Sequence, residues 1–205
     1  MTVKYTILAD VIDLPRDRPR AADKISVDSN VWYWYSYNDA RFSRQPPRRY
    51  QTREYSKYLS KAEKRASLFY CGLSLSELAH LIEQVEHSAF DPGGLITNKD
   101  YRHNYAAERR NVMAKIRTSW SKVKNAASPL EVLINGSSTD TALSRLDRVQ
   151  VDGYNTFFLE AMDKASINQI LTDDGDFVTV PGIQVFTANQ NVLDAAYTQG
   201  KLLTR

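Results

Sequence analysis

Acidic side chains in this chain stand where a parallel sheet would bring them together. Asp28 directly follows the apolar run 25–27, and the acids of the sequence DDGD (173–176) follow a second apolar run at 170–172. Because parallel strands end at a common edge of their sheet, carboxylates at the strand ends gather there. Oxygen ligands of this kind are what Mg²⁺ and Mn²⁺ prefer. The pattern therefore predicts a divalent-cation site.

Two further acids, Glu77 and Asp152, are candidates for the same site. Glu77 lies at the start of the amphipathic run 75–90, and Asp152 directly precedes another predicted helix at 153–165. A carboxylate in either position also stabilises a helix N-terminus, by capping it or through the helix dipole. Both interpretations stay open for these two residues at this point.

The elements that would position these acids alternate along the chain. Short apolar runs predict strands, and longer runs with helical spacing predict helices. Strands are predicted at 4–12, 24–27, 170–172 and 183–187, with a short apolar run at 132–134. Helices are predicted at 31–37, 54–67, 75–90, 104–123, 140–146, 153–165 and 192–203. This alternation favours an α/β fold built on a parallel sheet.

The composition is that of an ordinary globular protein. The 205 residues are 42% apolar and 25% charged, with only 8 Gly and 7 Pro, which excludes collagen-like and low-complexity chains. The apolar runs are too short to span a membrane, and Asp10 and Asp13 interrupt the stretch where a signal peptide needs an apolar core. The single cysteine, Cys71, excludes an internal disulfide. We therefore expect a cytoplasmic protein that does not enter a membrane.

Charge is segregated along the chain, although the formal net charge is only +3. Segment 41–65 holds nine basic and two acidic residues, a net charge of +7, and segment 99–124 holds eight against two, a net charge of +6. Segment 147–176 holds seven acidic and two basic residues, a net charge of −5. Either basic segment alone is typical of a solvated helix. Both together, beside an acidic cluster, favour a protein that binds nucleic acid.

Four stretches of the sequence together resemble the PIN-domain family. They are VDSNVW after a strand (27–32), SLSELAHLIE on a helix (74–83), VDGYNTFFLEA before a later helix (151–161) and ILTDDGDF (170–177). The last is similar to the family's Thr-x-Asp-x-Asp-Phe signature, and VPGIQVFT (180–187) after it resembles the family's fifth strand. The likeness covers roughly residues 24–36 and 68–190, and the order of the motifs makes it specific.

The resemblance implies a fold and an organisation. The fold would be a PIN-like three-layer α/β/α sandwich around a mainly parallel sheet of four or five strands. Residues 1–205 would form a single domain, with an N-terminal extension at 1–23 and a basic helical insertion at about 38–67.

The resemblance also implies an activity. Many PIN domains are metal-dependent endoribonucleases, so RNA is the implied substrate and Mg²⁺ or Mn²⁺ the implied cofactor. Matched residue by residue, the family's four acids correspond to Asp28, Glu77, Asp152 and Asp174, with Asp176 as a further metal ligand close by. The family includes toxins of toxin–antitoxin pairs and members that dimerise. An antitoxin protein and a second copy of the chain are therefore implied partners, and whether this protein is a toxin stays open.

Two departures from the family pattern affect the site. Between Asp28 and Glu77 lie 48 residues, more than compact members have, and the excess is the basic insertion. Within it we predict that three arginines bind nucleic-acid phosphates: Arg48, Arg49 and Arg53. Asp152 is also about one helical turn farther from Thr172 than the compact pattern places it. This spacing leaves Asp163 as an alternative for the third acid.

Two other functions compete with a nuclease. One is a catalytically weak PIN-like scaffold that binds RNA or a protein, although acids at all four positions argue against it. The other is a Mg²⁺-dependent phosphatase, which would need an Asp-x-Asp sequence after the first strand. Asp28 is followed instead by Ser29 and Asn30, so the sequence favours the metal-dependent ribonuclease.

Overall fold

The computed structural model describes residues 3–43 and 45–205. In this part of the chain, seven strands form one sheet and eight α-helices surround it. The strands are β1 (Asp10–Asp13), β2 (Lys24–Val27), β3 (Ser67–Cys71), β4 (Ser128–Leu130), β5 (Gln169–Leu171), β6 (Gln184–Thr187) and β7 (Leu202–Leu203). The helices are α1 (Ser29–Ser36), α2 (Ser56–Ala62), α3 (Ser74–Phe90), α4 (Asn98–Asn104), α5 (Ala106–Ala126), α6 (Gly136–Leu146), α7 (Gly153–Lys164) and α8 (Gln190–Thr198). No helix in the described ranges is both long enough and apolar enough to cross a membrane.

The sheet has the strand order β4–β3–β2–β5–β6–β1–β7, and every neighbouring pair is parallel. The predicted α/β class is therefore confirmed. The prediction of four or five strands is wrong for three reasons. Strands β4 and β7 are only three and two residues long, too short to carry a strand pattern. Strand β1 overlaps the end of the predicted strand 4–12 and lies between β6 and β7, although its segment was expected to be an N-terminal extension. Strand β3 was not predicted, because the helical pattern before it was extended to residue 67.

Several element boundaries also differ from those that the sequence predicts. The predicted helix 54–67 begins earlier, with a π-helical turn at Gln51–Tyr55, and α2 then ends at Ala62 so that β3 can pair with β2. The apolar run 132–134 is not a strand, and Leu133 and Ile134 are more than half exposed. Sequence periodicity identifies the long amphipathic helices α3, α5 and α7 well, because each has an extended apolar face.

Each face of the sheet has its own hydrophobic core, since alternate strand residues point to opposite faces. Ile25, Leu171 and Phe186 pack on one face with residues of α1, α2, α3 and α5. Ile170 and Val185 pack on the other face with residues of α7 and α8. The aromatic run at 32–37 belongs mainly to the first core. This layering leaves the carboxyl ends of the central strands as the edge at which polar side chains gather.

Candidate metal centre

Two of the predicted acids follow neighbouring strands in the middle of the sheet. Asp28 directly follows β2, and Asp174 lies three residues beyond the end of β5, which pairs with β2. From β2 the chain continues outward to β3 on one side, while β5 lies on the other side. A crevice forms at the carboxyl ends of strands where connections diverge in this way, and ligands bind in it.

Asp28 is buried and also caps α1. Its Oδ1 accepts a hydrogen bond from the backbone N–H of Ser29, and its Oδ2 accepts one from the Thr172 hydroxyl, both at 2.6 Å. Burial raises the pKa of Asp28 to about 7, assisted by the charges of Asp174 and Glu77 and opposed by these two hydrogen bonds. An ionised Asp28 is therefore costly in the folded protein unless a positive charge compensates it.

Asp174 is held by the turn that follows β5. The Thr172 hydroxyl, which donates to Asp28, accepts the backbone N–H of Asp174 at 2.9 Å, so one side chain links the two acids. Asp174 accepts the backbone N–H of Asp176 at 2.9 Å and the Asn155 amide at 3.3 Å. Burial raises the pKa of Asp174, and the charges of neighbouring carboxylates raise it further. The two hydrogen bonds lower the pKa but do not cancel the increase.

Glu77 and Asp152 reach the same region from two other elements. Glu77 lies in the first turn of α3, and Asp152 is the N-cap of α7, where its Oδ1 accepts the backbone N–H of Asn155 at 2.9 Å. Burial raises the pKa of Glu77, and the charges of Asp152 and Asp174 raise it further. The capping role of Asp152 and its proximity to the other acids therefore coexist.

These four carboxylates line one cavity of about 270 Å³. Its lining consists of Asp28, Ser29, Asn30, Glu77, His80, Leu81, Asp152, Asn155 and Asp174, and so contains no Lys or Arg among the described residues. The Oδ1 atom of Asn30 is buried and has no hydrogen-bond partner within the described ranges. Carboxylate and amide oxygens without a cationic neighbour are the donor set that suits a hard divalent cation.

The other two candidate acids lie outside the lining of this cavity. Asp176 is adjacent to Asp174 in the turn, and the charges of Asp174 and Asp152, after burial, raise its pKa. Asp163 lies near the end of α7, 57% exposed, where it pairs with Arg145 at 2.6 Å. As the side chains stand, no three His, Cys, Asp or Glu residues in the described part of the chain are placed to hold a metal ion. The four acids thus share a cavity without converging on one point.

The basic insertion forms a clamp on Asp173, a contact that sequence reasoning missed. Asp173 Oδ2 accepts hydrogen bonds from Gln51 at 2.6 Å and Tyr50 at 3.1 Å, and the Tyr55 hydroxyl lies 2.7 Å from Oδ1. Burial raises the pKa of Asp173, while these hydrogen bonds and the charge of Arg48 oppose the shift. The two adjacent acids in DDGD could have indicated this contact, because two neighbouring carboxylates can have different roles. Asp174 lines the cavity, and Asp173 binds the insertion.

We expect Tyr55→Phe to destabilise the protein by about 1 to 3 kcal/mol, the cost of leaving buried polar groups without a partner. The Tyr55 hydroxyl is buried and also lies 2.9 Å from both Thr187 Oγ1 and the backbone N of Ala188. Urea denaturation measures the change, with Tyr50→Phe as the control. That variant should lose less than about 1 kcal/mol, since Gln51 still satisfies Asp173 Oδ2. Equal losses in both variants would show that the additional contacts of the Tyr55 hydroxyl contribute nothing to stability.

The three arginines that were predicted to bind phosphates lie in the same segment as the clamp residues, and their side chains are exposed. Arg48 and Arg49 are exposed and form no ion pair with the described residues. Arg53 is exposed too, but its Nε lies 2.6 Å from Glu54 Oε1. Two of the three are therefore available to an anionic ligand beside the acid cavity.

Comparison with known proteins gives no family for this chain. No protein-family model matches it, and no curated protein is significantly similar to it. The PIN-domain likeness therefore stays a prediction.

Proposed function

We propose that this protein is a metal-dependent endoribonuclease with a PIN-like three-layer fold, which hydrolyses RNA phosphodiester bonds with Mg²⁺ or Mn²⁺. The observation that carries the proposal is the cavity that acids from four elements line together, with no Lys or Arg among the described residues of its lining. Carboxylates clustered in this way repel one another, so protons or a metal ion must compensate their charge. Burial is the main cause of the raised pKa values of Asp28, Glu77 and Asp174, and this repulsion raises them further.

Each residue has a role in this proposal. Asp28 and Asp174 would hold the ion, because they follow adjacent strands and share the Thr172 hydroxyl. Glu77 would bind a second ion or an ordered water, and Asp152 would complete the pocket. Because the acids do not converge as they stand, binding requires their side chains to rotate within the cavity. A bound ion supplies a water of lowered pKa and positive charge opposite the phosphate.

A second candidate function is a binding module that holds RNA without cleaving it. The observation that favours it is the same lack of convergence among the carboxylates. In that case the acids would serve only as helix caps and turn anchors, the roles that Asp28, Asp152 and Asp174 already have through their backbone hydrogen bonds. Metal ions would then leave the protein's stability unchanged.

The experiment that tests the proposal is cleavage of a mixed pool of structured and single-stranded RNAs. The wild-type protein is incubated with Mg²⁺, with Mn²⁺ and with EDTA, and its melting temperature is followed under the same three conditions. Cleavage that requires metal, together with stabilisation by metal, is the expected result. If the protein binds RNA but neither cleaves it nor is stabilised by metal, the binding module is the correct function. Neither binding nor cleavage would overturn both functions.

We expect RNA affinity to fall steeply with salt, and reversal of the charge on Arg48 and Arg49 to flatten that dependence. Each phosphate contact that is lost reduces the slope of log K against log salt by about 0.7 for a single strand. Arg48→Glu/Arg49→Glu should therefore lower the slope by about 1.4. Fluorescence anisotropy in EDTA measures it. An unchanged slope, or an equal change in the control Arg110→Glu/Arg117→Glu on α5, would show that the two arginines do not contact the strand.

A further inference from the structure

A hollow of about 800 Å³ lies where the loop between β1 and β2 meets the end of α2. All the charged side chains that line it are cationic: Arg16, Arg18, Arg20, Lys64, Arg65 and Arg205. A smaller adjoining cavity of about 320 Å³ shares Arg18, Lys64 and Arg65 and adds Lys61. The linear sequence does not reveal this cluster, because residues 16–20 and 61–65 come together only through the fold.

The loop 14–23 is fixed in a way that turns its arginines outward. Asp17 and Asp23 are buried, and both accept hydrogen bonds from the Arg205 guanidinium at 2.6 to 2.9 Å. Arg18 and Arg20 lie between these two acids in the sequence and are exposed. Because the acids hold the loop in place, the arginines are positioned before any ligand arrives, which reduces the entropy lost on binding.

Most of the charge in the hollow is uncompensated. Arg205 faces two aspartates, a group with one excess negative charge, and Arg16 pairs with Asp13 at 3.2 Å. Arg18, Arg20, Lys64 and Arg65 form no ion pair within the described ranges. Like charges gathered around one hollow raise its local potential and attract an anion. The hollow is thus suited to phosphate groups.

A ridge of cations connects the hollow with the clamp on Asp173. Its five exposed members are spaced four residues apart: Arg49, Arg53, Lys57, Lys61 and Arg65. Arg53 pairs with Glu54, so the other four carry the charge that is free of an ion pair within the described ranges. Residues four apart are neighbours on a helix surface, with about 6 Å between their Cβ atoms. The π-helical turn at Gln51–Tyr55 and the turn that holds Arg65 after α2 interrupt the regular α-helix along this ridge. The helical stretch 51–62 rises about 18 Å, and its first turn holds Tyr50, Gln51 and Tyr55 against the edge of the sheet where the acid cavity lies.

We propose that the ridge and the hollow bind the phosphodiester backbone of a single-stranded RNA. The strand would leave the acid cavity beside Asp173, follow the ridge and end with phosphates in the hollow. A single row of cations matches one backbone rather than the two of a duplex. The inference deepens the proposed function and rests on it for the identity of the ligand.

The test compares two triple variants with the same change in charge. Arg18→Glu/Arg20→Glu/Lys64→Glu alters the hollow, and Arg110→Glu/Arg117→Glu/Lys124→Glu alters exposed cations on α5. Labelled 2′-O-methyl RNAs of 4 and 12 nucleotides are titrated in EDTA and followed by fluorescence anisotropy. ATP serves as a competitor. Circular dichroism melting verifies that both variants fold, and metal-dependent cleavage by the wild type is assayed separately.

The hollow variant should bind the 12-mer at least about tenfold more weakly than wild type, with a salt slope lower by about 2. Its affinity for the 4-mer, which the ridge alone accommodates, should change little. Equal affinity of the hollow variant and wild type for the 12-mer, or an equal loss in the α5 variant, would overturn the inference. So would hollow-dependent binding of ATP with no preference for the longer RNA. Metal-dependent cleavage by the wild type without hollow-dependent RNA binding leaves the proposed function standing and overturns the inference, whereas hollow-dependent binding by a wild type that never cleaves overturns the proposed function alone.

Discussion

Asp28→Asn is expected to abolish RNA cleavage and at the same time to stabilise the metal-free protein. Loss of a ligand to the proposed metal ion should reduce cleavage by about 10³-fold, which corresponds to about 4 kcal/mol of transition-state stabilisation. Asparagine is nearly the same shape and caps a helix as well as aspartate does. The hydrogen bond from the Ser29 N–H therefore persists while the charge is removed.

The gain in stability follows from the sign of the pKa shift. The pKa of Asp28 is 3.8 as the reference value and about 7 in the folded protein, chiefly because of burial. The folded state therefore holds the proton more tightly than the unfolded state does. Stability from this group is fully present below about pH 4 and is lost as the pH rises towards 7. Three pKa units amount to about 4 kcal/mol, and the weakened contact with Thr172 offsets about 1 kcal/mol of it.

Urea denaturation in EDTA measures this gain. At pH 8 the variant should be more stable than wild type by about 3 kcal/mol, whereas near pH 4 it should be less stable by about 1 kcal/mol, because only the cost of the weakened Thr172 contact then remains. Asp163→Asn is the matched control, since Asp163 is exposed and lies outside the cavity. It should change neither cleavage nor stability appreciably. Full activity of Asp28→Asn would remove the metal centre from this cavity, and loss of activity in the control would restore Asp163 as the third acid.

Local sequence patterns locate the acids but not their surroundings. Asp28 and the DDGD turn were predictable because each follows a short buried strand, a pattern contained within ten residues. The Thr172 hydroxyl that links the two acids depends on the pairing of β2 with β5, which are 144 residues apart at that contact. No local pattern encodes that register.

For the basic insertion too, the sequence does not show which residues contact the rest of the protein. Its charge was evident from composition, but charge alone does not say which side of a helix meets the protein. The structure turns Tyr50, Gln51 and Tyr55 inward onto Asp173 and leaves the cationic ridge in solvent. The strands β4 and β7 were missed for a related reason, since three and two residues cannot show alternation. Contacts between distant segments decide all of these features.

Arg205→Ala should destabilise the protein by about 3 to 5 kcal/mol, the cost of removing one partner from a buried ion pair. The guanidinium of Arg205 donates two hydrogen bonds to Asp17 and two to Asp23, and it stacks over Phe186 with its Cζ 4.4 Å from the ring centroid. Without it, two aspartates remain buried. The Tyr58 hydroxyl, 2.7 Å from Asp17 Oδ2, would be the principal remaining donor to Asp17.

The size of this loss should depend on pH in the direction opposite to that of Asp28. Burial alone would raise the pKa of Asp23, but the hydrogen bonds from Arg205 and from the backbone of Arg20 outweigh it and lower the pKa. The stabilisation is thus present above the reference value of 3.8 and is lost as the pH falls below it. Urea denaturation at pH 7 and at pH 3 should show a large deficit that shrinks on acidification.

Lys201→Ala is the matched control for Arg205→Ala. Lys201 lies four residues earlier and forms only an exposed pair with Asp10 at 4.0 Å, so its removal should cost less than about 1 kcal/mol. A similar small loss for Arg205→Ala would mean that the loop 14–23 is held by its other contacts. The loop would then not hold Arg18 and Arg20 in fixed positions through the Arg205 contacts. A large loss confined to Arg205 makes the same buried triad responsible for both the stability of the fold and the outward orientation of Arg18 and Arg20.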